Sequence, residues 1–250
     1  MRIIRMTTFI IFSFFTAALH AQEIDAVKQR ELMNEQAGEL RDLCDSVYGK
    51  DIRLAKGSIY FPPNLRADGH PFFKTADWMT GSVTTDGETF TGIELNYDIT
   101  HDHLVLLNEY RNGSVIRLLL SKDHVTAFTL EEHEFILMDP STGINIPEKQ
   151  YFEILFDGKV SLVQRPVKQY LSTPTQAHPY GRFTNAVVTR YIIRDGKLHR
   201  FTNRFSLFKV LADRKSEIKK YLKEHRISNV RKATDQEITE LVGYYNSIIP

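Results

Sequence analysis

Two groups of side chains carry types and spacings that could do chemistry. His101-Asp102-His103 sets two imidazoles at i and i+2. That spacing points both rings to one side of a strand, where they could share a cation such as zinc. The same residues also suit an exposed hairpin tip, because turns favour Asp and tolerate His. The second group is a loop running from Phe61-Pro62-Pro63 to Trp78. Its candidate ligand-binding residues are Tyr60, Phe61, His70, Phe72, Phe73 and Trp78. A rigid set of rings could grip an apolar or carbohydrate ligand, since aromatics give large contact area at low entropic cost. The alternative is that these rings plug one end of a sheet.

Two further clusters are weaker. Glu131-Glu132-His133-Glu134 could bind a divalent ion or serve acid/base chemistry, but the latter needs one carboxylate removed from water. Otherwise it is a solvated tip between strands. From Arg200 to Lys232 there are eleven Lys or Arg against Asp213, Glu217 and Glu224. Such a stretch suits an anionic lipid surface, or the wet side of packed amphipathic helices. There is no G-x-S-x-G, HExxH, P-loop, G-x-G-x-x-G, CxxC or EF-hand pattern, so no short motif assigns a reaction or a cofactor.

Composition narrows the classes. The chain has 32 Lys+Arg against 31 Asp+Glu. That balance argues against a nucleic-acid partner, which calls for a basic excess. Cys44 is the single cysteine, so no intramolecular disulfide can form. It falls in phase with Met33, Ala37, Leu40 and Val47 and reads as a small buried apolar residue.

These residues need elements to position them. Residues 1–21 read as a secretory signal peptide: Arg2 and Arg5, an apolar run over Thr7–Leu19, then Leu19-His20-Ala21. No later segment is apolar enough for a transmembrane span. Residues 22–250 are expected to form one β-rich domain, with a helix over 24–48, a β-meander over 57–209 and two helices over 213–249. The meander rests on Asp86-Gly87, Asn112-Gly113, Asp157-Gly158 and Asp195-Gly196, dipeptides that favour type I′ hairpins. The expected hairpins pair Gly81–Thr85 with Thr89–Tyr97, His103–Tyr110 with Ser114–Leu120, and His124–Leu130 with Glu134–Met138. Tyr151–Phe156 pairs with Lys159–Gln164, and Ala186–Arg194 with Lys197–Phe208. Phe90 is out of phase with Ile93, Leu95 and Tyr97, which predicts a bulge near Gly92. Asp213 is the expected cap of the first C-terminal helix, and Thr234-Asp235-Gln236-Glu237 is a capping box for the second. The fold class is therefore mainly β with helical ends (α+β), an antiparallel meander forming a barrel or half-barrel. Arg165 to Asn185 is a long connection with Pro166, Pro174, Pro179 and Gly181, the kind that is usually functional or mobile.

Several runs carry a family likeness: Gly69-His70-Pro71-Phe72-Phe73, Trp78-Met79-Thr80-Gly81-Ser82-Val83, Asp86-Gly87 and Leu95-Asn96-Tyr97-Asp98. With the helix pair after Arg204-Phe205, they resemble a pattern in uncharacterised exported β-rich proteins of Bacteroidetes-type bacteria. The resemblance implies a periplasmic or cell-envelope location and assigns no catalytic residue. Together these readings point to an exported domain that binds an apolar ligand or an envelope protein. The alternatives are a metal-assisted hydrolase using His101, His103 or His70, and a peripheral membrane-surface protein.

Overall fold

The computed structural model describes residues 57–109 and 115–250, together with Lys28 and Met33, which are both helical. The expected leader over 1–21, the rest of the helix expected over 24–48, Cys44 and the Asn112-Gly113 turn lie outside the described residues.

The described residues form thirteen strands in chain order: β1 (Gly57–Ile59), β2 (Met79–Thr85), β3 (Glu88–Asp98), β4 (His103–Glu109), β5 (Val115–Leu120), β6 (Val125–Leu130), β7 (His133–Met138), β8 (Gln150–Phe156), β9 (Ser161–Val167), β10 (Tyr170–Leu171), β11 (Arg182–Phe183), β12 (Val187–Arg194) and β13 (Lys197–Phe201). Helices α1 (Arg204–Val210), α2 (Lys215–Glu224) and α3 (Asp235–Ile248) close the chain. Eleven strands form one antiparallel sheet in the order β1-β5-β4-β3-β2-β6-β7-β8-β9-β12-β13; β10 and β11 pair separately. All five expected hairpin pairs are present.

Local chemistry explains the turns. Asp86 and Gly87 both have positive φ (49° and 83°), which is what a two-residue type I′ loop between Thr85 and Glu88 requires. The expected bulge is present: Gly81 pairs with Ile93 and Ser82 with Thr91, so the register shifts by one residue at Gly92, whose φ is 66°. Asp157-Gly158 behaves differently. Neither residue has positive φ; the connection widens to Asp157–Val160, and the Ser161 hydroxyl donates to Asp157.

The meander departs from simple succession at one place. β6 pairs with β2 rather than with β5. Leu120 and Val125 are five residues apart and can span at most about 17 Å. Four strand spacings in a flat sheet cover about 19 Å. The first half of the sheet must therefore curl. It does not close, because β1 and β13 remain as edges, so a half-barrel forms rather than the barrel alternative. The curl encloses Val83, Leu95, Leu104, Phe128 and Phe135. Tyr97 lies at its centre, edge-on to Phe128, Phe135 and Tyr151 at 5.2–5.9 Å between ring centroids.

The second half of the sheet is covered by the helices. Leu162, Ile192 and Phe201 pack against Leu207, Ile218, Leu241 and Val242. The strand expected to run to Phe208 ends instead at Phe201. Asn203 accepts from the Ser206 amide and Ser206 reaches back to Asn203, a capping box that starts α1 at Arg204. Asp213 is not a cap: its carboxylate accepts from Arg194 (2.7 Å) and from the Tyr245 hydroxyl (2.9 Å). Thr234 and Glu237 form the expected box at the start of α3. No helix among the described residues is long and apolar enough to cross a membrane.

Candidate ligand-binding cleft

The turn between β3 and β4 carries the first chemistry-bearing group. Asp98, the last residue of β3, is fully buried, yet its carboxylate is well satisfied. Oδ1 accepts from the backbone N–H groups of Thr100 (2.9 Å) and His101 (3.0 Å). Oδ2 accepts from the Tyr60 hydroxyl (2.9 Å) and pairs with His101 Nδ1 (2.8 Å). In the neutral form of the ring the carboxylate therefore holds the hydrogen on Nδ1 and leaves Nε2 as the acceptor. Burial, and then the Asp98 charge, push the Tyr60 hydroxyl well above its ordinary pKa, so it stays a donor.

The other end of the same turn is fixed independently. Asp102 has a left-handed backbone (φ 60°) and takes hydrogen bonds from the Tyr97 hydroxyl and the Lys122 ammonium. Asp98 and Asp102 thus clamp the segment between them from both sides, so His101 is held by a rigid support. His103 opens β4, with its ring 5.9 Å from that of His101 and nearly parallel to it. Burial, outweighing the pull of Asp98, lowers the His103 pKa, so this ring is neutral at neutral pH.

Both rings line a cleft of about 350 Å³ whose other walls are Ile59, Tyr60, Phe61, Pro63 and Leu119. The Tyr60 amide donates to the Arg117 carbonyl (2.8 Å), which carries the β1–β5 pairing on into the wall. Phe61 is 79% exposed at the mouth. Thus four of the residues expected from sequence, Tyr60, Phe61, His101 and His103, come together.

The remaining four are placed differently. Phe72 lies behind Tyr60 at 6.3 Å, and His70 stacks on Phe72 at 6.2 Å, so both support the wall. Lys168 donates to the carbonyls of His70 (3.1 Å) and Phe72 (2.7 Å), tying the loop to the strand β9 side. Burial and the Lys168 charge lower the His70 pKa. Phe73 turns into the curled core, edge-on to Phe135 at 5.3 Å. Trp78 is half-buried with the Arg117 guanidinium over its ring.

As a metal centre, the pair is incomplete: His101 Nδ1 is engaged by Asp98, and no three His, Cys, Asp or Glu among the described residues are grouped to hold an ion. Asp98–His101 has the geometry of a base and the group that orients it. Among the described residues, however, the cleft walls carry no Ser, Thr or Cys.

Sequence reasoning missed a polar chain inside the fold. His133 is directed inward at Glu153, a buried carboxylate in the middle of β8. Gln164 donates to Glu153 (2.9 Å) and to Asp235 (3.1 Å), and Asp235 accepts from Arg190 (2.6 Å). Glu131, Glu132 and Glu134 stay exposed, so only the histidine of that cluster enters the interior. The signal was a single carboxylate in the otherwise apolar run Tyr151-Phe152-Glu153-Ile154-Leu155-Phe156. A charge there demands a partner.

No protein-family model, curated protein or solved structure matches this chain.

Proposed function

We propose that the chain is an exported, non-enzymatic binding domain, and that the cleft beside the aromatic loop takes a small, mainly apolar ligand bearing one hydroxyl. The observation that carries this reading is the convergence of two imidazoles with five apolar or aromatic walls around one opening. Concave, largely apolar sites with a few fixed polar groups are the usual form of small-molecule sites. His101 Nε2 accepts the ligand's O–H, while Ile59, Phe61, Pro63 and Leu119 cover its apolar body. Export is supported by the leader-like first 21 residues and by the envelope resemblance.

The test uses 2-naphthol, an aromatic bicycle with one hydroxyl, titrated into the protein while histidine side-chain NMR signals are followed. Saturable shifts at His101 and His103, weakened at least tenfold by His101→Phe and by Phe61→Ser, are expected. Naphthalene binding as tightly as 2-naphthol removes the hydroxyl assignment. Shifts confined to other histidines, or no saturation, remove the site.

A further inference from the structure

The face built by β12, β13 and α1 combines protruding apolar side chains with cations that lack a carboxylate partner among the described residues. Phe205, in the first turn of α1, is 81% exposed, while Leu207 on the other side of the helix is fully buried. Val187 and Val188 on β12 are 66% and 46% exposed. Phe205, Lys209, His199 and Arg200 border one depression of about 620 Å³. On the other side of Arg200, a depression of about 250 Å³ is bordered by Val187, Val188 and Arg231. Arg200 borders both, so the two depressions are neighbours.

Its charge is uneven. Arg190 and Arg194 are neutralised by Asp235 and Asp213. Arg200, Lys209 and Arg231 make no ion pair among the described residues. Among the described residues, Asp195 is the one acidic residue bordering either depression, and it pairs with Arg194. Exposed apolar side chains interleaved with free cations match the boundary between lipid headgroups and acyl chains: the rings and methyls enter the apolar layer while the cations meet phosphates.

We propose that this face docks on an anionic lipid bilayer, with Phe205 and Val187 inserted and Arg200, Lys209 and Arg231 on the headgroups. Docking here is independent of the cleft. An acidic polypeptide would satisfy the cations but would leave Phe205 without an apolar partner.

The experiment is sedimentation of the full chain with vesicles of phosphatidylcholine alone or with 30 mol% phosphatidylglycerol, at low and high salt. Binding to the anionic vesicles only, lost at high salt, is expected. Each of Arg200→Gln, Lys209→Gln and Arg231→Gln lowers the partition coefficient about fivefold, and Phe205→Ser lowers it about tenfold. Arg182→Gln, on β11 outside the patch, leaves it unchanged. All five substitutions are at exposed positions, so unchanged urea midpoints separate docking from folding. Equal binding to both vesicle types, no binding to either, or anionic binding untouched by the four patch substitutions overturns the proposal. Retention on polyglutamate without vesicle binding assigns the face to an acidic polypeptide and overturns it as well. Binding of 2-naphthol is unaffected by all of these variants.

Discussion

Removing the Asp98 carboxylate is the sharpest perturbation of the cleft. Asp98→Ala strands four donors at once: the Thr100 and His101 amides, the Tyr60 hydroxyl and the His101 ring. The His101 ring is partly exposed and recovers a bond to water. Tyr60 is buried and cannot, and the two amides recover only in part. At about 1–3 kcal/mol for each donor left without a partner in the interior, the loss sums to about 3–5 kcal/mol. Asp98→Asn keeps an oxygen for the two amides and offers Tyr60 an N–H to accept, so its cost is about 1–2 kcal/mol. Urea unfolding followed by fluorescence of the single tryptophan, Trp78, should order the midpoints as wild type, Asp98→Asn, Asp98→Ala, with unchanged slope. The thermal midpoint of the alanine variant should drop by about 10 °C. In the folded alanine variant, histidine NMR should show the His101 proton redistributed from Nδ1 to Nε2. An Asp98→Ala midpoint within about 0.5 kcal/mol of wild type refutes the clamp, as does equality of the two variants.

Other perturbations probe other elements. An added Cβ at Gly81 would lie 1.9 Å from the Thr129 carbonyl oxygen of the neighbouring strand, so Gly81→Ala should cost about 3 kcal/mol by urea denaturation. Thr234→Ala removes the acceptor for the Glu237 amide and should cost about 1 kcal/mol, with Thr234→Ser restoring most of it. Because the His103 pKa lies below its ordinary 6.5, the unfolded chain takes up a proton that the fold resists. Stability from this site is intact above pH 7 and falls as the pH drops through 6.5 and then through the folded value. His103→Gln should therefore flatten the loss of urea midpoint between pH 7.5 and 5.5; an identical slope in both proteins contradicts it.

The hairpins were legible because their signals are local. Alternation in Ile93, Leu95 and Tyr97, and a turn that needs positive φ at Asp86 and Gly87, act over a few residues. The pairing of β6 with β2 was not legible, since it depends on curvature shared by five strands. Helix α1 was missed because Phe205 and Leu207 continue the alternation of Phe201, while the box between Asn203 and Ser206 lacks the usual Thr and Glu. In the cleft, residue types point to Tyr60, Phe61, His101 and His103, but strand alternation alone sets Asp98 on the face opposite Ile93, Leu95 and Tyr97, where a polar residue is expected to be wet. Its burial follows from the aromatic loop, whose Phe72 bridges to Asp98 and closes that side of β3.

The pairing of β2 has a consequence for synthesis. On a ribosome, β2 emerges and finds β3 at once, but its other partner, β6, is still some forty residues away. Until Val125–Leu130 appears, the strand holding Gly81 presents bare amides and carbonyls to any passing chain. An unfinished polypeptide of this kind can be captured edge to edge by a second one. Arrival of β6 ends that interval and seats the Thr129 carbonyl in the gap that the missing methyl group at Gly81 leaves open.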